Sequence, residues 1–594
     1  MNGFPRPYRV QDDGIVWRLL VALCVILSVL TALSHYEGRS DDVLRWVVVS
    51  DLLNGQGWLD LYQHRLGPND GTLMHWSRLV DAPIAALYLL FSLVLSEPVA
   101  LHVTAIVWPS MLVMATLWAL VVTAGALGGR PGAISALIFG ALALEGTKKY
   151  TYFSFDHHGL QIMLYVFSVM FFVRRKTRIR ASIWLGVFLA LSMSIGTESL
   201  MHLGLIGAFF AIDWVLLGEQ ARTRLMSFGA ALAVTLLVVS VATTSADSFF
   251  FPGCDALTLS VALPAGLAGF GLLGLGAVAS AWSIWARAFS LLSLGVLALG
   301  FAYVFAPYCL QNPISQMSQP MQEFWLSQIT EAQAPFATFS RHTGQKIALF
   351  GVSVFTILAG LYLSRARDTR IDYLLLVFLM SASLTLFLYQ SRMSAFLAIS
   401  LIVVHAQVLG AMFLKYKAQR SRFWGVLMMV FFIFMLPKTG TTIERFYVSL
   451  RQPTTENSAA GPQVFLKYCN TQVVYDSLND LSPGLIVSGF DFAANILRFT
   501  HHSVLGGNYH RNEAGNLSQI DLFRSDPAEM GQRLADLRVD YVLICKHASR
   551  AAYWNSVSEG EGLPSAFLAG RLPNNVHELQ RPEHDAFRVF QVKR

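Results

Sequence analysis

The stretch Ser40–Trp46, with the sequence SDDVLRW, follows the first long apolar run of the chain, Val16–Leu33. That run is long enough to cross a bilayer as a helix, and it contains no small-residue cleavage site, so we expect it to be retained. The adjacent carboxylates of Asp41 and Asp42 are costly to hold at the end of a membrane span unless they face water, a metal ion or a ligand. We therefore expect the loop after the first span to carry part of a functional site.

The composition of the whole chain is that of a membrane protein. Of its 594 residues, 54% are hydrophobic and 14% are charged, and the mean hydropathy is +0.50. These values are too apolar for a soluble chain of this length. Hydropathy predicts about thirteen spans, all within residues 1–436, which we take as the membrane domain. The expected fold class is a polytopic α-helical membrane protein.

The distribution of Lys and Arg predicts the orientation of these spans. The formal net charge is +7, but the basic residues recur in short blocks between apolar runs, of which Arg174–Arg180 is the densest. This pattern indicates cytoplasmic loops beside a lipid bilayer and argues against a nucleic-acid partner. We expect a cytoplasmic N-terminus, an external Asp41 and an external C-terminus. A single chain of this kind fits a bacterial inner membrane, where the external face is periplasmic.

From residue 437 the composition becomes polar and Gly-rich, which predicts that residues 437–594 form a soluble extracytoplasmic domain. Short apolar runs at Gly484–Ser488 and Val539–Cys545 are typical of strands, and Pro527–Leu537 is typical of a helix. A small α/β domain is the expected result.

The five cysteines show no zinc-binding spacing. Cys24 falls in a predicted span, and the other four fall on the external side, where disulfides persist. We predict the pairs Cys254–Cys309 and Cys469–Cys545. Four free, partly buried thiols remain the open alternative.

The predicted topology brings three acidic elements to the external face: Asp41-Asp42, the Asp156-His157-His158 segment and the loop Ala306–Lys346. Carboxylate and imidazole donors without thiolates suit Mg²⁺ or Mn²⁺. A hard cation there would neutralise a phosphate or diphosphate leaving group. Arg392, at the edge of a span, is suited to bind the same phosphate bidentately, although a role as an interfacial anchor stays open.

In this order the residues resemble the catalytic subunit of oligosaccharyltransferase, a membrane glycosyltransferase of the GT-C class. The resemblance implies that Asp41 is a catalytic residue and a metal ligand, with Asp42 the next choice. It implies that Asp156 and His158 complete the metal site. It also implies that Glu331, in the sequence QITEAQ, is a second catalytic residue and that Arg392 binds the donor phosphate.

The resemblance departs from the family pattern at one motif. Where the family has WWDYG, which reads the hydroxyl residue of an Asn-x-Ser/Thr acceptor, this chain has GFDFA at residues 489–493. Phe490, Asp491 and Phe492 are the implied acceptor-binding residues, but the tryptophan pair is missing.

The activity implied by the resemblance is metal-dependent, inverting transfer of a glycan from a polyprenyl phosphate or diphosphate donor to an extracytoplasmic acceptor. That acceptor is a protein Asn or, in the alternative that the altered motif favours, a lipid or surface polysaccharide. A transporter of lipid-linked glycans is a third hypothesis. It needs charged residues at mid-membrane depth and internal repeat symmetry, and the sequence shows neither clearly.

Overall fold

The computed structural model describes residues 8–33, 39–68, 70–176, 178–311, 316–337, 343–435, 469, 472–546, 550–558, 560–579 and 587–593. The chain divides into two compact units, which we call the membrane unit and the sheet unit. The membrane unit comprises Met1–Tyr36, Trp76–Asn312 and Thr330–Gln452, and the sheet unit comprises Glu37–His75, Pro313–Ile329 and Pro453–Arg594. The domain boundary predicted after residue 436 falls where the described residues stop, and it stays a prediction.

The membrane unit is built from helices whose apolar side chains face both one another and the outside. Their bounds are α1 Gly14–Leu33, α3 Arg78–Ser92, α4 Glu97–Thr147, α5 His158–Arg174, α6 Ile179–Ile195, α7 Leu200–Leu217, α8 Arg222–Thr243, α9 Ala246–Phe249, α10 Leu259–Val278, α11 Ile284–Phe305, α12 Thr343–Leu363, α13 Arg370–Tyr389, α14 Ser394–Gln419 and α15 Arg422–Met435.

Within the described residues, eight helical segments are long and apolar enough to cross a membrane, and three more apolar helices are shorter. The expectation of a polytopic helical membrane protein is therefore confirmed. The number thirteen stays a prediction, because two of the eight segments, Glu97–Thr147 and Leu200–Thr243, are about twice the length that one crossing needs.

Helix α4 is two helices joined at a break. Gly129 has a φ of 62°, in the left-handed region that glycine adopts at low cost, and Pro131 follows two residues later. Gln407 of α14 donates its side-chain N–H to the carbonyl of Ala124 at 2.9 Å, just before the break. The chain therefore changes direction sharply at Gly128–Pro131.

Three helices of the membrane unit approach one another through glycines. A Cβ atom on Gly186 of α6 would lie 2.6 Å from the carbonyl oxygen of Phe228 in α8. A Cβ on Gly229 would lie 2.5 Å from the carbonyl oxygen of Gly269 in α10. Small residues that let helix backbones touch are a common means of association in membranes.

We expect Gly229→Ala to lower the Tm of the detergent-solubilised protein, because overpacking of this kind costs about 1–3 kcal/mol. The matched control is Gly274→Ala in α10, where an added Cβ meets nothing within 4 Å. The control is expected to keep or raise the Tm, since alanine is the better helix former. Equal Tm values for the two variants would contradict the packing argument.

Both predicted disulfides are present. Cys254 pairs with Cys309, with their Cα atoms 5.5 Å apart, and Cys469 pairs with Cys545, with theirs 6.0 Å apart. These separations lie in the usual range for disulfides. All five cysteines are described, and Cys24 is the buried one that stays free.

The sheet unit contains a mixed sheet of five strands among its described residues, in the order β4-β3-β5-β7-β6. Strand β3 pairs in parallel with β4 and β5, while β7 pairs antiparallel with β5 and β6. The strands are β3 Leu485–Ser488, β4 Ser503–Val504, β5 Tyr541–Cys545, β6 Val576–Leu579 and β7 Phe587–Val592. The helices of the unit are α2 Ser40–Leu53, α16 Gln472–Asp476, α17 Ala493–Phe499, α18 Glu513–Arg524, α19 Pro527–Asp536, α20 Arg550–Val557 and α21 Leu563–Leu568. The expected α/β domain is therefore confirmed, with both predicted strands and the predicted helix.

Two segments distant in sequence complete this unit. The first loop forms a small hairpin, β1 Tyr62–Gln63 with β2 Thr72–Leu73, and Leu66 bridges in parallel to Val504. Three apolar residues of the long later loop join the core of the sheet unit: Met321, Phe324 and Trp325. Neither association is predicted by any pattern in the sequence.

The guanidinium of Arg65 fastens the first loop to the C-terminal residues. It donates to the carbonyl oxygens of Leu497 at 2.7 Å, Thr500 at 2.8 Å and His502 at 3.3 Å. The first two carbonyls lie at the C-terminal end of α17, which has no further helical N–H to accept from. One cation thus satisfies three carbonyl groups of buried residues, two of them at the end of a helix.

We expect Arg65→Ala to cost about 3 kcal/mol, because hydrogen bonds from a charged donor are lost and the carbonyls are left unpaired. Faster limited proteolysis of the first loop in the full-length protein, together with a lower Tm, is the measurement. Arg533→Ala is the control, because Arg533 lies on the surface and pairs with Glu529 in an exposed ion pair of little value. Equal proteolysis rates for the two variants would show that Arg65 does not hold the loop.

Candidate functional site

The segment between α4 and α5 carries two of the predicted metal ligands. Asp156 lies directly before α5, and His158 is the first residue of that helix. The turn is fixed from both sides, since the Tyr150 hydroxyl donates to the carbonyl of Gly159 and the Tyr150 carbonyl accepts from the Thr31 hydroxyl of α1. Phe153 and Phe155 are buried beneath it. Asp156 and His158 are therefore held by a packed turn.

The carboxylate of Asp156 lies between two imidazoles. Its Oδ1 lies 2.7 Å from Nδ1 of His157 and accepts the backbone N–H of the same residue at 2.7 Å. Its Oδ2 contacts Nδ1 of His158. The two rings stack with their centroids 4.4 Å apart. One carboxylate thus orients both histidines.

Glu198, in the turn between α6 and α7, faces the other edge of these rings. Its Oε2 lies 2.9 Å from Nε2 of His158 and 3.9 Å from Nε2 of His157. Its Oε1 lies 3.3 Å from Nη1 of Arg392. Glu198 therefore joins the predicted metal ligand His158 to the predicted phosphate-binding Arg392.

Sequence reasoning missed Glu198, although a signal was present. Glu198 is the one ionisable residue in the short break, Gly196–Ser199, between two apolar helices. Under the predicted topology that break lies on the external face. A lone carboxylate between two spans is costly to hold there for the same reason as Asp41, and it indicates a functional site in the same way.

Arg392 lies in the short turn Ser391–Met393 between α13 and α14, and its side chain is 39% exposed. Its Nε donates to Oε1 of Gln390 at 2.9 Å. Both the backbone N–H and the hydroxyl of Ser391 donate to the carbonyl of Gln333 at 2.9 Å. This pair of bonds brings the turn that carries Glu331 beside the turn that carries Arg392. Glu331 itself is exposed.

The positive groups of the cluster lower the pKa values of its two carboxyl groups. Burial raises the pKa of the Asp156 carboxyl, but the neighbouring imidazoles, above all the positive charge of His158, outweigh that effect and hold this pKa well below its usual range. Burial acts in the same way on Glu198, and the positive charges of His158 and Arg392 likewise hold its pKa well below the usual range. Both carboxyl groups are therefore ionised at neutral pH.

The donor set fits a divalent cation. Asp156, His157 and His158 each offer a ligand atom, and these atoms lie within 4.8 Å of one another. Oxygen and imidazole donors next to a second carboxylate suit Mn²⁺ or Mg²⁺. Asp156 and His158 remain the predicted ligands, and His157 joins them as a third candidate from the same turn.

Asp41 belongs to the sheet unit. It is the second residue of α2, and its neighbour Asp42 caps that helix by accepting the backbone N–H of Arg39 at 3.0 Å. Helix α2 packs against α17, the helix that directly follows Phe490–Phe492. The structure thus brings the helix of Asp41 close to the predicted acceptor-binding segment. The predicted role of Asp41 as a metal ligand and catalytic residue stays a prediction.

The predicted acceptor-binding aromatics lie in the core of the sheet unit. Phe490 is 3% exposed and packs against Phe523 and Trp554, and Phe492 is 2% exposed and packs against Phe587. Both rings therefore anchor the segment by packing into the core of the sheet unit.

Asp491, which lies between these two rings, is partly exposed, and its carboxylate accepts a hydrogen bond from Asn508 at 2.6 Å. Of the three predicted acceptor-binding side chains, Asp491 is the one that reaches the surface.

Comparisons with known proteins support the fold. No protein-family model matches the sequence, and no curated protein matches it. Among solved structures, the chain is similar to the oligosaccharyltransferase of Archaeoglobus fulgidus in its apo form, with 15% identity and a TM-score of 0.67 over 94% of this chain and 73% of that one. The same archaeal enzyme, AglB, in complex with an inhibitory peptide and a dolichol-phosphate, matches with 14% identity and a TM-score of 0.64 over 94% and 72%.

A third structure widens the range of activities found on this architecture. The arabinofuranosyltransferase AftD from Mycobacteria matches with 14% identity and a TM-score of 0.51, over 97% of this chain and 42% of that one. At such identities a likeness establishes the fold. The chain is therefore a polytopic membrane protein of the GT-C fold, which confirms the fold that the sequence resemblance implied.

We expect acid to destabilise the metal-free protein partly through Glu198. Because the pKa of this carboxyl is lower in the folded than in the unfolded state, its ionised form adds stability above the unfolded pKa, and that stability is lost as the pH falls through the folded pKa. Glu198→Gln is therefore expected to lose less Tm than the unaltered protein on acidification from neutral pH. Glu219→Gln, which removes an exposed carboxylate beside Arg222, is expected to behave as the unaltered protein. Parallel Tm profiles for all three proteins would contradict the expectation.

Proposed function

We propose that the protein is a membrane glycosyltransferase, similar to oligosaccharyltransferase, that moves a glycan from a polyprenyl phosphate or diphosphate donor to an extracytoplasmic acceptor. The observation that carries the proposal is the continuous contact from Asp156 through His158 and Glu198 to Arg392, on the GT-C fold. A cation-binding pair next to an accessible guanidinium is the combination that binding and release of a phosphate require. The lipid part of the donor would lie between spans within the bilayer.

Each residue has a distinct task in this proposal. Asp156 and His158 would hold a Mn²⁺ or Mg²⁺ ion, and that ion supplies positive charge to the leaving phosphate. Arg392 binds the phosphate oxygens through its exposed N–H groups. Asp41, joined by Glu331 when the acceptor is an amide, orients and deprotonates the nucleophile, a role that contributes about two to four powers of ten in rate. Attack opposite the leaving phosphate inverts the configuration at the anomeric carbon.

Two acceptor classes are candidates. Likeness to AglB, solved with an inhibitory peptide, favours a protein acceptor. The GFDFA segment favours a lipid or polysaccharide acceptor, because it lacks the tryptophans of the family motif and buries both of its rings. AftD, an arabinofuranosyltransferase, has the same architecture. Glycan transfer is common to both candidates, and the acceptor is what separates them.

The test uses the full-length protein in nanodiscs with Mn²⁺, a labelled polyprenyl-diphosphate glycan and a peptide containing Asn-x-Thr. Glycopeptide formed by the unaltered protein supports the oligosaccharyltransferase-like activity. Release of glycan from the lipid without glycopeptide supports the second acceptor class. A protein that neither transfers nor releases the glycan would contradict the proposal and favour a transporter.

Substitutions test which of the proposed residues contribute to glycan transfer. We expect Asp156→Ala and Arg392→Ala to lower the rate about 10²- to 10³-fold, because the first removes a ligand of the cation and the second removes the guanidinium, and both lower the positive charge at the leaving phosphate. Asp41→Asn is expected to lose about 10²- to 10⁴-fold through loss of the base. Glu219→Gln is the control and is expected to retain the unaltered rate. Full activity of Asp156→Ala in the presence of EDTA would remove the metal from the mechanism.

A further inference from the structure

Glu198 contacts the two parts of the candidate site at once. One carboxylate oxygen lies 2.9 Å from Nε2 of His158, and the other lies 3.3 Å from Nη1 of Arg392. His158 begins α5 and Arg392 lies between α13 and α14, so their helices are far apart in sequence. Glu198 therefore contacts both the predicted metal ligand His158 and the predicted phosphate-binding residue Arg392.

The contact at His158 has the arrangement of a second carboxylate behind a metal-bound histidine. Nδ1 of His158 faces Asp156, the other predicted ligand, so a cation held by these two residues would take the Nδ1 side. Nε2 would then carry the proton, and it lies 2.9 Å from Oε2 of Glu198. A carboxylate in that place fixes the tautomer and the ring orientation of a ligating histidine.

The contact at Arg392 restrains a flexible side chain. Arg392 is 39% exposed, and within the described residues its polar side-chain contacts are with Glu198 and Gln390. A guanidinium holds its geometry better when a carboxylate takes one edge and leaves the other free for a phosphate. Without Glu198, only a neutral amide from its own turn would orient it.

The turn that carries Glu198 is rigid enough to position both partners. Gln161 of α5 donates to the carbonyl of Gly196 at 2.9 Å and to the hydroxyl of Ser199 at 3.2 Å. The hydroxyl of Ser192 lies 3.2 Å from that of Ser199. These bonds are buried, and they flank Glu198 on both sides.

We propose that Glu198 is a positioning residue that sets the His158 imidazole for the cation and the Arg392 guanidinium for the donor phosphate, so that both ligands are bound in one geometry. The inference rests on the proposed function for its donor half. The cation half stands on the geometry of Asp156, His158 and Glu198 alone. Glu198 need not touch the cation or the reacting atoms to act in this way.

The experiment measures the two halves separately. In EDTA-stripped full-length protein without donor, Mn²⁺ affinity is measured by EPR, and we expect Glu198→Gln to weaken it roughly 10- to 100-fold. In turnover assays at saturating Mn²⁺, the same variant is expected to raise the KM for the donor more than it lowers kcat. Glu198→Asp, which keeps the charge, is expected to recover part of the Mn²⁺ affinity, and Glu219→Gln is expected to change neither quantity.

Double variants test whether Glu198 acts through Arg392, through His158 or through both. In an Arg392→Gln background, Glu198→Gln is expected to add little to the donor KM but to retain its effect on Mn²⁺ affinity, since that effect passes through His158. In a His158→Asn background the Mn²⁺ effect is expected to disappear. Both patterns differ from the uniform loss that a merely structural role would cause.

Several outcomes would overturn the inference. Unchanged Mn²⁺ affinity in Glu198→Gln is one, whether or not the Tm falls, and absence of Mn²⁺ binding by the unaltered protein is another. Failure of the proposed function has a different signature: the unaltered protein binds Mn²⁺ with a Glu198-dependent affinity but turns over no polyprenyl-linked glycan.

Discussion

The Glu198 carboxylate, shared between an imidazole and a guanidinium, is the interaction on which the candidate site depends. Two carboxylates and two histidines cannot stay buried next to each other unless their charges and hydrogen bonds are matched. Asp156 lies against Nδ1 of the His158 ring, and Glu198 lies 2.9 Å from its Nε2. Removing either carboxylate would take away negative charge that offsets His158 and Arg392, so the two carboxylates stabilise the cluster together.

A second buried ion cluster in the membrane unit shows how a purely structural network differs. Arg175 is fully buried and is bonded to Asp213 at 3.0 and 3.1 Å and to Asp372 at 2.5 Å. Arg175, Asp213 and Asp372 are all buried, and the network joins α5, α7 and α13 at the far end of α5 from His158. In the Glu198 cluster, by contrast, Arg392 keeps an exposed edge. An accessible cation is available to a ligand, whereas the buried Arg175 only stabilises the packing of helices.

The sequence predicted what depends on local pattern. Apolar runs predicted the spans, short apolar runs predicted strands β3 and β5, and the DHH segment predicted that Asp156 and His158 lie at one site. The contacts that the sequence did not predict are non-local ones. Arg65 bonds to carbonyls more than 430 residues away, and nothing in either segment specifies the other.

Local patterns also leave the environment of single residues open. Arg175 belongs to the basic block that predicts a cytoplasmic loop, and nothing in that block distinguishes it from its neighbours. The structure buries it, because Asp213 and Asp372 approach from helices whose packing no local pattern reveals. Glu198 was overlooked because one carboxylate between two apolar runs gives no periodic signal.

The residues assigned to the donor and those assigned to the acceptor belong to different compact units of the chain. Asp156, His158, Glu198 and Arg392 all belong to the membrane unit, whereas the GFDFA segment is built on the core of the sheet unit. Phe490 and Phe492 secure that segment through core packing, so a change of the aromatic residues there changes the support of Asp491. If the proposed function holds, the residues assigned to the donor could stay constant while those assigned to the acceptor change, which is the behaviour expected when a site is assembled on a widely used fold.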